Sequence, residues 1–424
     1  MTDERTVTED LAAALGELHP FHASAREEIA DLVACRRTSE ARPEASMPEG
    51  GCQKSSSPLL GCVSAPDEAG DDAPARHVLL HGPAGSGKRN LASALQACLK
   101  GRIDVHLREA DEPSDFRNGI VVWIARDGVI PRHLPPRTPK VRIRSLSSAE
   151  KRRLVALMID TVCPMYGLDS TEFHRDDLME VLLHGGASEA GVLGATRRLH
   201  KLCRRRARLR SESASREVDL AWAAGVLGPE AHPQDPMPQR LPPGCVFAPV
   251  VSSLGGALAQ VEAFANPGKG RLTVTGAGPQ AELSVRVARS RCLAMAGQLG
   301  RSVDALRDLD WHIHVAGPEG PKDGVSLGWP AVVAMVSHLA GTAVDARFAF
   351  TGEIALSGEI RSVGMVEEKF LACERESFKR FWIPSANLDD LSGLDPLALG
   401  ECEPFSVTND LDGLRRLGLV SSRV

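Results

Sequence analysis

Between Leu327 and Ala340 the chain sets only Ser337 and His338 among apolar residues and glycine. A run that continuous and that long predicts a buried helix, from about Ser326 to Ala340. Pro330 fits the first turn of such a helix, where the N–H it lacks has no partner inside the helix. Upstream, His312-Ile-His314-Val alternates polar with apolar, so it predicts a strand with both histidines on one face. That placement makes them structural rather than catalytic. Downstream, Glu367-Glu-Lys-Phe-Leu-Ala-Cys-Glu-Arg predicts a second helix. It is expected to set Phe370 and Leu371 beside Lys369 and to expose its glutamates.

The first half of the chain is punctuated differently. A short apolar strand at His77–Leu80 leads through a glycine-rich loop into a helix over Asn90–Leu99. Helical periodicity returns over Ala149–Ile159, Asp176–His184 and Ala187 to about Arg210. Residues 36–75 are rich in Ser, Pro, Gly, Glu and Asp, and predict a disordered insertion. The prolines from Pro229 to Pro243 predict a linker. The resulting division is 1–35 leading helices, 36–75 insertion, 76–144 α/β core, 145–228 helical lid, 229–243 linker, and 244–424 a domain of alternating strands and helices. The fold class expected is thus an α/β core with a helical lid, followed by an α+β domain.

Composition narrows the classes. The 424 residues are 43% hydrophobic, enough for two or three cores. A net charge of −5 gives no global signal for a polyanion. The cations of Arg197–Arg210 read as the solvated face and C-terminal end of a helix, so nucleic acid is not an expected partner. Ten cysteines without metal-ligand or paired spacing give neither a zinc site nor a disulfide framework, and no metal is expected. There is no leader-like N-terminus and no membrane span, so the expected location is a reducing cytoplasm.

The chemistry gathers at Ser326, in Pro-Lys-Asp-Gly-Val-Ser-Leu-Gly (residues 321–328), and at Lys369, 43 residues later. A serine hydroxyl is a weak nucleophile until a base removes its proton. A lysine is such a base only when neutral, which requires burial or a nearby cation. Gly324 frees the backbone before the serine. Ser326 is expected to cap its helix or occupy the first position, where free N–H groups and the helix dipole stabilise an oxyanion. Taken singly, each residue is most often an ordinary cap and an ordinary solvated lysine.

The surrounding strings resemble the proteolytic domain of the Lon proteases. That family carries Pro-Lys-Asp-Gly-Pro-Ser-Ala-Gly, then Thr-Gly-Glu-Ile-Thr-Leu-Arg-Gly and Gly-Gly-Leu-Lys-Glu-Lys. This chain has Thr351-Gly-Glu-Ile-Ala-Leu-Ser-Gly358 and Gly364-Met-Val-Glu-Glu-Lys369. Gly255-Gly-Ala-Leu-Ala-Gln-Val-Glu262, Pro267–Gly276 and His312-Ile-His314-Val also resemble family segments. The resemblance implies Ser326 as nucleophile, Lys369 as general base, and supporting roles for Thr351 and Asp323. It further implies peptide or unfolded-protein substrates and a homo-oligomeric ring, a hexamer. Val325 stands where the family has proline, and Trp329-Pro330 is unusual after the serine.

Gly82-Pro83-Ala84-Gly85-Ser86-Gly87-Lys88 fits a phosphate loop, whose glycines let backbone N–H groups wrap phosphates while the lysine reaches the terminal ones. Arg89 stands where the motif needs Ser or Thr to hold Mg²⁺. The rest of the region resembles the AAA+ module of Lon in reduced form. Arg126 stands for the sensor asparagine and Leu193 for the second sensor's arginine, and Arg137 falls near the arginine finger. Only 38 residues separate Lys88 from Arg126, too few for the missing acidic strand and pore loop. No cofactor is expected to be required. ATP or ADP is expected to bind weakly through Gly82–Arg89 and not to be hydrolysed productively. Two alternatives stand beside this: an ATP-dependent protease with an atypical motor, and a non-proteolytic nucleotide-binding sensor.

Overall fold

The computed structural model describes scattered residues of 11–32 and most of the chain from 76 onward, apart from 102, 110, 113–118, 184–188, 210–217, 229–237, 239, 253, 318–321, 395 and 422–424. The expected insertion at 36–75 lies outside the described residues. The chain divides into two compact units: residues up to Gly82 with Gly87–Ile143, and Pro83–Ser86 with Arg144–Val424.

In the first unit, β1 (Arg76–Gly82), β2 (Val105–Glu109), β3 (Ile120–Arg126) and β4 (Lys140–Arg142) form a parallel sheet in the order β2-β3-β1-β4. The helix α1 (Lys88–Leu99) follows β1 and buries Leu91, Ala92 and Leu95 against Leu80, Val122 and Val141. The opposite face of β1 and β3 buries Leu79, Val121 and Trp123. β3 is apolar from Ile120 to Ala125, as a strand covered on both faces must be. The interval between Lys88 and Arg126 holds the edge strand β2, Val-His-Leu-Arg-Glu, which is not an apolar run ending in an Asp-Glu pair.

The second unit opens with four helices: α2 (Ser148–Met165), α3 (Arg175–Leu183), α4 (Leu193–Leu209) and α5 (Leu220–Leu227). Ser147 caps α2 through a reciprocal pair with Glu150. Helix α5, with an Asp219 cap, was not legible in the hydropathy pattern.

The rest is built on a seven-stranded mixed sheet. Its strands and helices are β5 (Cys245–Ser252), β6 (Gly255–Pro267), β7 (Leu272–Thr275), α6 (Pro279–Ala294), α7 (Val303–Arg307), β8 (Leu309–Ala316), α8 (Gly328–Ala340), β9 (Phe348–Phe350), then β10 (Glu353–Ile354) and β11 (Ile360–Arg361) as a separate pair. These are followed by α9 (Val366–Arg375), β12 (Arg380–Pro384), α10 (Pro396–Leu399), β13 (Glu403–Val407) and α11 (Asp410–Arg416). The order across the sheet is β13-β12-β9-β5-β6-β8-β7. Helices α6 and α8 cover one face, burying Val285, Ala288 and Val332–Val336 against Val246, Val261, Ile313 and Val315. Helix α9 covers part of the other face, with Phe370 and Leu371 against Phe247, Ala349 and Phe381.

The helical group and the sheet are joined by buried polar contacts. Ser145 donates from its N–H and its hydroxyl to the two oxygens of Glu368, at 2.7 and 2.5 Å. Ser148 donates from its N–H to Glu374 at 3.0 Å. A fragment beginning at residue 144 retains these donors and one beginning at 244 does not. Losing the donors of a buried carboxylate costs on the order of 1–3 kcal/mol. Fragment 244–424 should therefore unfold at a clearly lower urea concentration than fragment 144–424. Equal midpoints would show that the contacts add nothing to stability.

Candidate functional site

Ser326 lies in a 3-10 turn, Val325–Leu327, and α8 begins only at Gly328. The expectation that Ser326 caps the helix is corrected: Leu327 holds the cap position and no side chain caps the helix. The reason lies in what grips the turn. Val325 O accepts from Ser284 Oγ at 2.8 Å, Ser326 O accepts from Gly352 N at 3.1 Å, and Gly352 O accepts from Trp329 N at 3.0 Å. These bonds tighten the chain ahead of the helix and leave the serine hydroxyl out of the helical pattern. Pro330 is the third helical residue and lies in the first turn.

Asp323 shapes the approach to the serine. One of its oxygens accepts from Ala281 N and Gly324 N, both at 3.0 Å. This ties the loop to the start of α6 and lets Gly324 take φ 131°, in the range that favours glycine. Thr351 follows β9. It is 1% exposed, and its Oγ1 is buried without a hydrogen-bond partner.

Lys369 sits in the first turn of α9, 5% exposed. Burial alone lowers its pKa to about 8, and no carboxylate offsets the shift. The side chains of Ser326, Thr351 and Lys369 make no hydrogen bond or ion pair among the described residues. The structure ties the backbone of Ser326 to Gly352, next to Thr351, and it places Lys369 in hydrogen-bond contact with neither. The expectation that α9 exposes its glutamates is corrected: Glu368 is 0% exposed and Glu367 is half-buried. Periodicity missed this because the surface that covers Glu368 comes from Ser145, 223 residues away. Asn387 was missed for the same reason: it clamps Val363 through both backbone groups, at 2.9 and 3.0 Å, three residues before α9. Ser284 carries no sequence signal either.

His312 and His314 share the exposed face of β8, and both reach Thr275 Oγ1, at 3.0 and 2.8 Å. No group of three side chains able to hold a metal lies among the described residues. No helix among them is long and apolar enough to cross a membrane.

The phosphate-loop residues fall in both units. In the first, Gly82 and Gly87 have φ of 152° and 95°. Lys88 is buried and donates to Gly82 O at 2.9 Å. Burial lowers its pKa to about 8, partly offset by Asp127. Asp127 is itself held by His81 at 2.9 Å and Arg142 at 3.0 Å. Arg89 is exposed and pairs with Glu109 at the end of β2. In the second unit, Pro83, Ala84, Gly85 and Ser86 form a turn in which Ser86 N bonds Pro83 O. Gly191 packs so closely on Gly85 that a Cβ there would lie 1.9 Å from its carbonyl oxygen. An apolar cavity of about 330 Å³ opens at the far end of β1 and β3, lined by Ile29, Leu95, Ile120 and Pro135, and contains none of these groups.

Residues 218–412 match the Lon protease (S16) C-terminal proteolytic domain. The match ties this segment to the Lon proteolytic domain. A Lon protease of Methanosarcina barkeri is 31% identical over 281 residues, 63% of this chain and 34% of its own length. Those of Vibrio parahaemolyticus and Azospirillum brasilense are 30% and 32% identical over 71% and 76% of this chain. The chain spans 34–40% of the length of these curated Lon relatives.

The buried lysine gives a stability test. Above the ordinary lysine value of 10.5, the folded and unfolded states are both neutral at Lys369. As pH falls, the unfolded chain takes up a proton that the folded chain accepts only near pH 8, so stability is lost across that window and the loss is constant below it. Lys369→Met should raise stability by up to about 3 kcal/mol at pH 7 and leave it nearly unchanged at the alkaline end. Urea unfolding at the two pH values measures this. An equal effect at both would mean that the lysine is solvated.

Proposed function

We propose that this chain is a Lon-type serine endopeptidase that hydrolyses peptides and unfolded proteins without productive ATP hydrolysis. The observation that carries the proposal is a buried lysine with no counter-ion, in the Gly364–Lys369 segment of a Lon proteolytic domain. Ser326 Oγ attacks the scissile carbonyl carbon. Lys369, as the neutral amine, takes the hydroxyl proton and returns it to the departing amine. Water then cleaves the acyl-enzyme with the same lysine as base. Thr351 Oγ1, buried and unpartnered, is suited to accept a hydrogen bond from the ammonium formed during the reaction. Asp323 acts indirectly, by holding the turn that presents Ser326.

The absence of productive hydrolysis is supported by the state of the phosphate-loop residues. Magnesium in such loops is held by a Ser or Thr and by an acidic residue at the end of a nearby strand. Here the first position is Arg89, and its guanidinium is engaged by Glu109. Weak ATP or ADP binding through Gly82–Arg89 remains part of the proposal, as do assembly into a homo-oligomeric ring and a cytoplasmic setting.

Purified protein incubated with unstructured casein, with and without ATP, tests the whole reading. Casein should be cleaved at the same rate in both, while a stably folded protein stays intact. Ser326→Ala and Lys369→Ala should each lower cleavage by roughly three orders of magnitude or more, and the double variant should be hardly worse than either. Lys88→Ala should change little. ATP-stimulated cleavage that is lost in Lys88→Ala would instead establish a working motor. Intact casein in every arm would favour the non-proteolytic sensor. The wild-type rate should also rise with pH through about 8, as Lys369 becomes neutral.

A further inference from the structure

We propose that Glu368 is a positioning residue for Lys369, and that its hydrogen bonds to Ser145 hold helix α9 in the rotation that keeps the lysine buried and unpaired. The inference rests on the peptidase reading above only in taking Lys369 as the base.

A glutamate beside a catalytic base in a helix's first turn ordinarily faces water. This one is 0% exposed, and the cost of burying a carboxylate is met only if it is fully bonded. Oε1 accepts from Ser145 N and Oε2 from Ser145 Oγ, at 2.7 and 2.5 Å, so both oxygens are held by one residue. Such a two-point contact fixes direction as well as distance. Neighbouring residues on a helix differ by about 100° in direction, from 3.6 residues per turn. Holding Glu368 therefore sets where Lys369 points.

The backbone around the contact is cleared for it. A Cβ on Gly256 would lie 2.3 Å from Glu368 O, and one on Gly255 would lie 3.1 Å from Ser145 Oγ. The start of β6 is thus thin where α9 and Ser145 approach, and Arg375, two turns further on along the same face of the helix, closes the gap by donating to Gly256 O at 2.7 Å. Glu368 also offsets part of the burial of Arg375. The charged groups around this end of the helix are Glu367, Arg144 with its partner Glu150, Lys151, Glu374, Arg375 and Glu376. None of them contributes to the shift at Lys369, which comes from burial alone. Glu368 is therefore placed to act through geometry rather than through its charge.

That distinction makes the test sharp. Removing a neighbouring negative charge would lower a lysine's pKa, whereas releasing the helix rotation would let water reach the amine and raise it. The experiment is pH-dependent carbamoylation of Lys369 by cyanate, followed by mass spectrometry of the full chain, alongside the pH profile of peptide cleavage. Ser145→Ala removes one hydrogen bond and no charge. Glu368→Gln removes the charge and one acceptor. Glu368→Ala removes both contacts.

The midpoint of Lys369 modification is expected near 8 in the wild-type protein. It should rise by about half a unit in Ser145→Ala and by a unit or more in Glu368→Ala, with Glu368→Gln between them. The ascending limb of kcat should move by the same amounts while KM stays within about twofold. A midpoint that stays at the wild-type value in Ser145→Ala and Glu368→Gln overturns the proposal, as does one that falls. Because Ser145→Ala is the mildest change, the test survives misfolding of Glu368→Ala. If the wild-type chain cleaves nothing but the modification midpoints shift as expected, the peptidase reading fails and the positioning of Lys369 stands.

Discussion

An ammonium group removed from water with no anion to meet it is the constraint around which this proteolytic domain is arranged. Burying a lysine in this way costs stability at neutral pH, and a chain that needed only a fold would fill the position with Leu or Met. Lys369 lies on a helix whose Val366, Phe370 and Leu371 belong to the apolar layer with Phe247 and Phe381. Burial is what shifts its amine. Two carboxylates of the same helix are bonded elsewhere: Glu368 to Ser145, and Glu374 to Ser148.

Three lysines are buried among the described residues, and they show why a lowered pKa does not by itself identify a base. Lys88 and Lys369 both titrate near 8, and Lys151 near 7. Lys88 donates to Gly82 O and feels Asp127, so its amine is already employed in holding the loop. Lys151 donates to Glu189 O and lies among Glu189, Glu374 and Glu376. Lys369 alone of the three is shifted by burial with no charged neighbour. A base must have a free lone pair and room for a proton, so the absence of a partner separates the catalytic candidate from the structural ones.

Much of this was legible in the residues. The apolar run before Ala340 gave α8, and the alternation around Ile313 gave β8 with both histidines outward. The candidate chemistry at Ser326 and Lys369 came from the resemblance of the strings around them to the Lon proteolytic domain, since each residue alone reads as an ordinary cap and an ordinary solvated lysine. What sequence could not supply is long-range. Glu367 and Glu368 are identical letters in one helix turn, yet one is half-buried and the other completely so, because Ser145 and the thin start of β6 meet only the second. The 3-10 turn at Ser326 depends on Gly352 and Ser284, neither of them near in sequence. Strand β2 escaped because an edge strand needs only half an apolar pattern.

The two corrections at the site bear on the chemistry together. A serine capping its helix would give its hydroxyl oxygen to a backbone N–H, and would face the base already engaged as an acceptor. In a 3-10 turn held by backbone bonds on both sides, the hydroxyl has no such obligation, and its proton can be directed at a base. A glutamate facing solvent next to Lys369 would swing on a flexible side chain and stabilise the protonated amine whenever it came near. Held inward on Ser145, it is kept from the amine while its helix is kept in register. The proposed nucleophile and the proposed base are thus prepared in the same way, since the groups that would otherwise satisfy them are bonded to something else.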